Sequence, residues 1–584
     1  MSRSPRVRRT SAHALKARIG GGKRKAGPLV AALAVAATLP FGAGVGRAAT
    51  ASPIPFCSRV GSTIQASAGA QAYCFGAQQG QAVSASGSAS FGANVNAASP
   101  SEDISPSGVR AYGQSEVSIA GAGNYVVEAW NDSTGFFSPC PSPQNKEELT
   151  GLGFSADGGA SFVDLGGVPN SHCSTRLLFG DPSVETYTSA GKTYFYVSSL
   201  FDSPYFGGKS NLALSACKAI GTGASAALNC GQPIKAASST QCLGSYCSFL
   251  DKEFLTVDAA RGLLYMSYTE FGVDYSTALF NGQIELAVCD LGPPSGGLGP
   301  LGGTAAKPVC EPGTQTAPYL VVAPGDQNCE QEGAYPTVDP ATGDVYVGYE
   351  FNWASNLFGP GPCLSQPTQN VLKKIPASCL TLTPTSPCAG PSASQSVNVV
   401  SMDAAFIPGY NRFPASDFPR LAVSDSAGTV SMVWNDAGVH PMGDILLQSW
   451  KLGSITPVQG QPVRLNRDVG GLHFMPALRN TDASGKLQVS WYQRGSATTS
   501  ITNVKAALGV DPRTTVTPAS NTLITTMATD WNAVSSDIVP NFGDYTDIYA
   551  EAPSPGTAGG RVLVAWSDGR LGVPQPFAGV VQTP

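Results

Sequence analysis

The sequence predicts an all-β chain folded as a β-propeller with seven blades, or six if one repeat is a chance match. Three observations carry this. One strand–turn–strand phrase recurs seven times. Glycine (67) and proline (45) are abundant, while charged residues make up only 13% of the chain, a composition of many short strands joined by turns. The recurrences also lie far enough apart for each to carry a four-stranded sheet.

The first element is not part of the repeats. Arg3, Arg6, Arg8, Arg9, Lys16, Arg18, Lys23, Arg24, Lys25 and Arg47 are basic, and no acidic residue precedes Glu102. An apolar run follows from Pro28 to Val45, then the small residues "RAATAS". Residues 1–51 therefore read as a secretory signal with an extended basic region, cleaved after Ala48 or Ala51. An uncleaved anchor is the alternative. Arg8-Arg9 lacks the apolar residues that twin-arginine export expects next. No second apolar run is long enough to span a bilayer, so no membrane contact is expected once the signal is removed.

Without the leader, 25 basic residues face 40 acidic ones, a charge near −15. Such a body repels phosphate backbones, which argues against a nucleic-acid partner. All fourteen cysteines follow the leader. An even count in an exported chain reads as disulfides, expected to staple the inserts between repeats locally. No CxxC pair occurs, and only His172, His440 and His473 follow the leader, so a zinc cluster is not expected. Residues 52–110 form an N-terminal segment placed to close the propeller, and 111–584 carry the blades.

The repeats begin at Gln114, Gly180, Asp251, Glu332, Ser416, Phe474 and Gly543. In "YPTVDPATGDVYVGYEF", "YPTV" is a strand, "DPATGD" a turn and "VYVGYEF" a second strand, which together make an antiparallel hairpin. The second strands end on Trp130, Ser199, Tyr268, Tyr349, Trp434, Trp491 and Trp566, spaced 57 to 85 residues apart. The copy at Gln114 is the least regular.

Polar residues punctuate each hairpin twice. Before strand one stand Glu116, Asp181, Asp251-Lys252-Glu253, Glu332, Asp417, His473 and Asp544-Tyr545; after strand two stand Asp132, Asp202, Glu270, Glu350, Asp436, Gln493 and Asp568. Antiparallel geometry puts both sets at one end of the hairpin. If these strands are the innermost of each blade, the sets meet at one mouth of the central channel as an acidic, aromatic-lined funnel. Asp544, Tyr545, Asp251 and Glu332 are then the candidate catalytic groups, with Asp181, Lys252, Glu253, Asp417, Arg420, His473 and Asp568 as candidate substrate ligands. Paired carboxyls suit glycosidic cleavage, and an oxygen-rich ring suits Ca²⁺, although no cofactor is required. The competing expectation is that most of these side chains only satisfy backbone groups at strand ends.

"SADGGASF" fits the Asp-box pattern S-x-D-x-G-x-x-[FW], with Ser155, Asp157, Gly159 and Phe162 at its fixed positions. With the hairpin repeats and the closing "FGDYTDIYAE…VLVAWSDGR", the chain resembles secreted bacterial sialidase-like propellers with neuraminidase repeats over residues 110–575. In that family the box is structural. The resemblance implies a monomeric, extracellular propeller that acts on or binds a glycan or glycoprotein, as a glycoside hydrolase or as a noncatalytic binding module. A Ca²⁺-stabilised structural module is a third reading. The family's F/Y-R-I-P segment is absent, with "FPRL" at Phe418 its nearest echo; Arg420, Arg479 and Arg561 lie in or near repeat cores. Scarce histidine disfavours Ser-His-Asp chemistry.

Overall fold

The computed structural model describes residues 94–101, 113–137, 146–202, 209–243, 246–274, 279–310, 320–325, 331–352, 367–382, 390–402, 418–481, 485–496, 499–534, 543–551 and 560–582. The leader and Asp417 lie outside them. The described residues form seven antiparallel blades and one two-stranded hairpin. Every sequence repeat, the one at Gln114 included, supplies the first two strands of a blade. The first strands, in blade order, are Gln114–Ala122, Val184–Ser189, Phe249–Asp258, Gln331–Val338, Arg420–Ser424, Leu472–Thr481 and Asp547–Glu551. Each touches the first strands of the blades before and after it, so the seven close into a ring around an axial channel. In the seventh blade the outermost strand, Asn94–Asn96, comes from before the first blade and pairs with Gln575–Gln582. This non-local pairing ties the two ends of the ring together.

Side chains alternate between the two faces of a strand, and here both faces are buried. Seven hydrophobic clusters result, one in each interface between consecutive blades. Within Thr429–Asp436, for example, Val430, Met432 and Trp434 pack toward the fourth blade, and Val433 toward the sixth. The aromatic ends of the second strands are buried, as their periodicity predicts.

Disulfides Cys217–Cys230, Cys242–Cys247 and Cys289–Cys310 join sequence neighbours. Two of them correct the expectation that cysteines avoid the blades. Cys217 and Cys289 lie in third strands, each directly opposite its partner on an outer strand. Cys173 and Cys379 are also disulfide-bonded, and no free thiol occurs among the described residues. Cys57, Cys74, Cys140, Cys329, Cys363 and Cys388 fall outside them. No helix among the described residues is long and apolar enough to cross a membrane.

Candidate functional site

The site is built by a repeated irregularity at the start of the first strands. Pairing with the second strand skips residues between Ser115 and Ser118, Asp251 and Phe254, Glu332 and Tyr335, and Phe474 and Ala477. At this bulge the backbone turns left-handed at Glu116 (φ 56°), Asp181 (55°), Lys252 (60°), Gly333 (65°) and Met475 (50°), the same register position in five blades. For residues with a side chain this conformation is strained, and it aims charged groups out of the ladder. The fifth and seventh blades place Phe418 and Tyr545 there instead. In the seventh, Gly543 takes the left-handed turn two residues earlier (φ 71°), and a Cβ on it would lie 2.2 Å from Glu116 Cγ. Only glycine allows Asp544 to come this close to the first blade.

The result is a buried cluster at one end of the channel. Lys252 Nζ pairs with Asp544. The Asp544 backbone N–H donates to Glu116 at 3.0 Å. Asn131 Nδ2 donates to Glu116 and, at 3.2 Å, to Asp181, while its oxygen accepts from the Asp181 N–H at 2.5 Å. Asp251 and Glu253 flank the lysine, and the Tyr545 hydroxyl donates to Pro182 O at 3.3 Å. None of Glu116, Asp181, Asp251, Lys252, Glu253, Asp544 and Tyr545 is more than 2% exposed.

Five carboxyls around one ammonium cannot all ionise out of water. Burial, followed by the charges of Asp181 and Asp544, pushes Glu116 well above the usual carboxylate range. Burial and Asp181 do the same to Glu253. Burial also opposes ionisation of Asp181, but the Glu116 hydrogen bond and the Lys252 charge outweigh it and hold this carboxyl low. Burial and the surrounding carboxylates push the Tyr545 phenol up, so it stays neutral. No group of three or more His, Cys, Asp or Glu among the described residues is arranged to hold a metal ion. The ammonium of Lys252 supplies the positive charge within the cluster.

Two residues further along each first strand the channel is filled. Arg420 Cζ lies 4.3 Å from the Phe254 ring centroid, 5.0 Å from Tyr335 and 5.7 Å from Tyr545, a guanidinium packed across the axis against three blades. Around it, Val184 N–H donates to Ser118 Oγ (3.0 Å), which donates to Asp547 (2.7 Å), linking blades two, one and seven. Two residues further still, the register position holds Ala120, Glu185, Thr256, Thr337, Ala422, Arg479 and Tyr549. Arg479 pairs with Glu185 at 2.5 Å. Here the channel widens into a cavity of about 450 Å³.

The geometry sorts the candidates. Asp544, Tyr545, Asp251, Asp181, Lys252 and Glu253 come together, and Arg420 packs beside Tyr545. Glu332 lies opposite Glu350 within its own blade. His473 bonds Gly443 O (2.9 Å) and Asp468 (2.8 Å), which ties neighbouring loops together. Asp568 accepts from Trp566 Nε1 (2.7 Å), Thr529 Oγ1 (2.8 Å) and Arg570 (2.6 Å). Asp132 and Asp436 likewise accept from the indoles of Trp130 and Trp434 (3.1 and 3.3 Å), so in these three blades the acid after strand two anchors a buried tryptophan. The cluster side chains expected to line a funnel are buried, and a cavity lies at the turn end. In the turn after the third strand of blade one, Gly159 N–H donates to Ser155 Oγ (2.9 Å) and Ser161 N–H to Asp157 (2.9 Å), while Phe162 packs on the interface between blades one and seven. Glu116, which the sequence aligns with Asp181 and Asp251 before strand one but does not single out as a ligand, and Asn131 complete the cluster.

No protein-family model matches the chain, and no curated protein matches it. Among solved structures it is similar to a Penicillium chrysogenum α-L-arabinanase in complex with arabinobiose (11% identity, TM-score 0.36, 85% of this chain and 99% of that one). It is also similar to a protein of unknown function from Dyadobacter fermentans (9%, 0.38, 85% and 99%) and to a Trypanosoma rangeli sialidase bound to the inhibitor DANA (9%, 0.34, 71% and 58%). These likenesses are too distant to carry an argument. The strand pairing itself makes the chain a seven-bladed β-propeller, the architecture that its repeats and its sialidase-like resemblance imply.

Proposed function

We propose that this chain is an exported propeller that hydrolyses glycosidic bonds at the acidic end of its channel. One observation carries the reading: the bulged strand starts gather Glu116, Asp181, Asp251, Glu253 and Asp544 around Lys252 at one end of the channel, tied together by Asn131 and the Asp544 N–H. Glycoside hydrolysis needs a protonated carboxyl to give its proton to the leaving oxygen and an ionised one to assist attack at the anomeric carbon. In this reading the hydrogen-bonded pair Glu116–Asp181 acts as one proton-donating unit, and Asp544, whose N–H reaches Glu116, is the second carboxyl. Tyr545 and Lys252 orient the substrate. The basic-then-apolar leader and the disulfides support export.

Full burial of the cluster favours a second reading, in which the carboxyls are structural and the propeller binds glycans without cleaving them. A screen of the purified mature protein against synthetic aryl glycosides, sialosides included, decides between them. Turnover that disappears in Glu116→Gln, with thermal unfolding little changed, supports hydrolysis. Glycan binding without turnover supports the second reading. Neither turnover nor binding would sink both.

A further inference from the structure

The cavity at the turn end has no part in the reaction proposed above. Six of the seven first strands wall it, and its shape follows from the register. At the ring position the fifth blade contributes Ala422 where others carry Thr256, Thr337, Arg479 or Tyr549, so a small side chain leaves the space open. Above it, Arg420 and the rings of Phe254 and Tyr335 fill the axis and separate the cavity from the acidic cluster. Its volume, about 450 Å³, falls in the range of small-molecule sites.

The chemistry of the wall narrows the ligand. Thr256 and Thr337 place hydroxyl groups on the wall, Thr337 Oγ1 accepting from the Val423 N–H at 3.2 Å, and Asn480 beside them donates to Val423 O at 2.9 Å. Glu185 and Arg479 stand side by side at 2.5 Å, an acceptor next to a donor, in the arrangement that two adjacent hydroxyls on a ring can bridge. The Tyr549 ring lies under the Arg479 guanidinium, 5.6 Å from its Cζ, and lines the same cavity as an apolar surface. Because Glu185 and Arg479 neutralise each other, an anionic ligand would have to compete with Glu185 for the arginine, in a chain whose net charge is already −5. A cation would meet the converse problem.

We infer that the turn-end cavity is a binding site for a neutral sugar unit, separate from the acidic cluster and occupied whether or not that cluster cleaves glycosides. The test is a titration of the intact, disulfide-bonded mature protein with methyl glycosides of neutral pentoses and hexoses, beside the matching uronic acids, followed by calorimetry and saturation-transfer NMR. At least one neutral glycoside should bind at millimolar concentration. Thr337→Phe, which puts a ring into the cavity, should weaken that binding at least about tenfold. Thr256→Val keeps the side-chain shape and removes one hydroxyl, so it tests the wall even if Thr337→Phe fails to fold; it should weaken binding at least about threefold. Asp544→Asn, at the far end, should leave the affinity within about twofold. The inference is overturned if no neutral glycoside binds, or if a uronate binds tighter than its neutral parent. Binding that is lost in Asp544→Asn but unchanged in Thr256→Val would overturn it too, because the sugar would then sit at the acidic end.

Discussion

The two ends of the axial channel are made from the same seven strands and differ in almost every physical respect. At the bulge end, irregular pairing and left-handed residues bring five carboxyls and a lysine into one buried cluster. At the turn end, regular pairing leaves threonines, an alanine and one self-neutralised ion pair around an open cavity. The difference lies in the backbone: a one-position irregularity re-aims side chains that an unbroken ladder would have sent into the blade interfaces. Charge is concentrated where the strand is irregular, and space is left where it is regular.

Measurements on variants of the two ends test that contrast. The largest effect is expected from Lys252→Met, which leaves Asp544 and its neighbours without their counter-charge. It should cost about 3–5 kcal/mol in denaturant unfolding. A loss near zero would mean that the cluster carries no net charge as folded. Second is pH. Glu116 and Glu253 are raised in the folded protein, so the native state holds more protons than the unfolded chain above the ordinary value near 4.5. Their contribution is present below that value and declines as pH rises toward the raised one, by at most about 1.4 kcal/mol per pH unit for each proton. Asp181, held low, acts in the opposite sense only below 3.8. Glu116→Gln should therefore flatten the fall in stability above that point. An unchanged slope in unfolding curves between mildly acidic and neutral pH would count against the raised carboxyl.

At the turn end the effects should be smaller. Glu185→Gln removes the partner of Arg479, but solvent in the cavity can take its place, so the loss should be about 1–3 kcal/mol and below that of Lys252→Met. Equal losses would abolish the distinction between the two ends. Smallest is Thr256→Val, expected within about 0.5 kcal/mol in thermal unfolding.

Much of this was legible in the sequence because a propeller repeats its unit. Trp130, Tyr268, Tyr349, Trp434, Trp491 and Trp566 marked the same position in successive blades, and the alternation around them marked the strands. Residue identity also placed the acids at one end of each hairpin. It could not tell a carboxyl that caps a tryptophan, such as Asp568, from one that joins the axial cluster, such as Asp181, because both read as an acid beside a strand. The separation depends on φ at one residue, which only the packed ring fixes. Local periodicity and turn chemistry fixed the hairpin unit, the order of its strands and the supply of acidic groups, and narrowed the blade count to seven or six; strand pairing around the ring decided for seven. Closure of the ring through Asn94–Asn96, the pairing of Lys252 with Asp544 across 292 residues, and the cavity at the turn end belong to the tertiary structure alone. Each depends on contacts between distant segments, whose geometry no local pattern encodes.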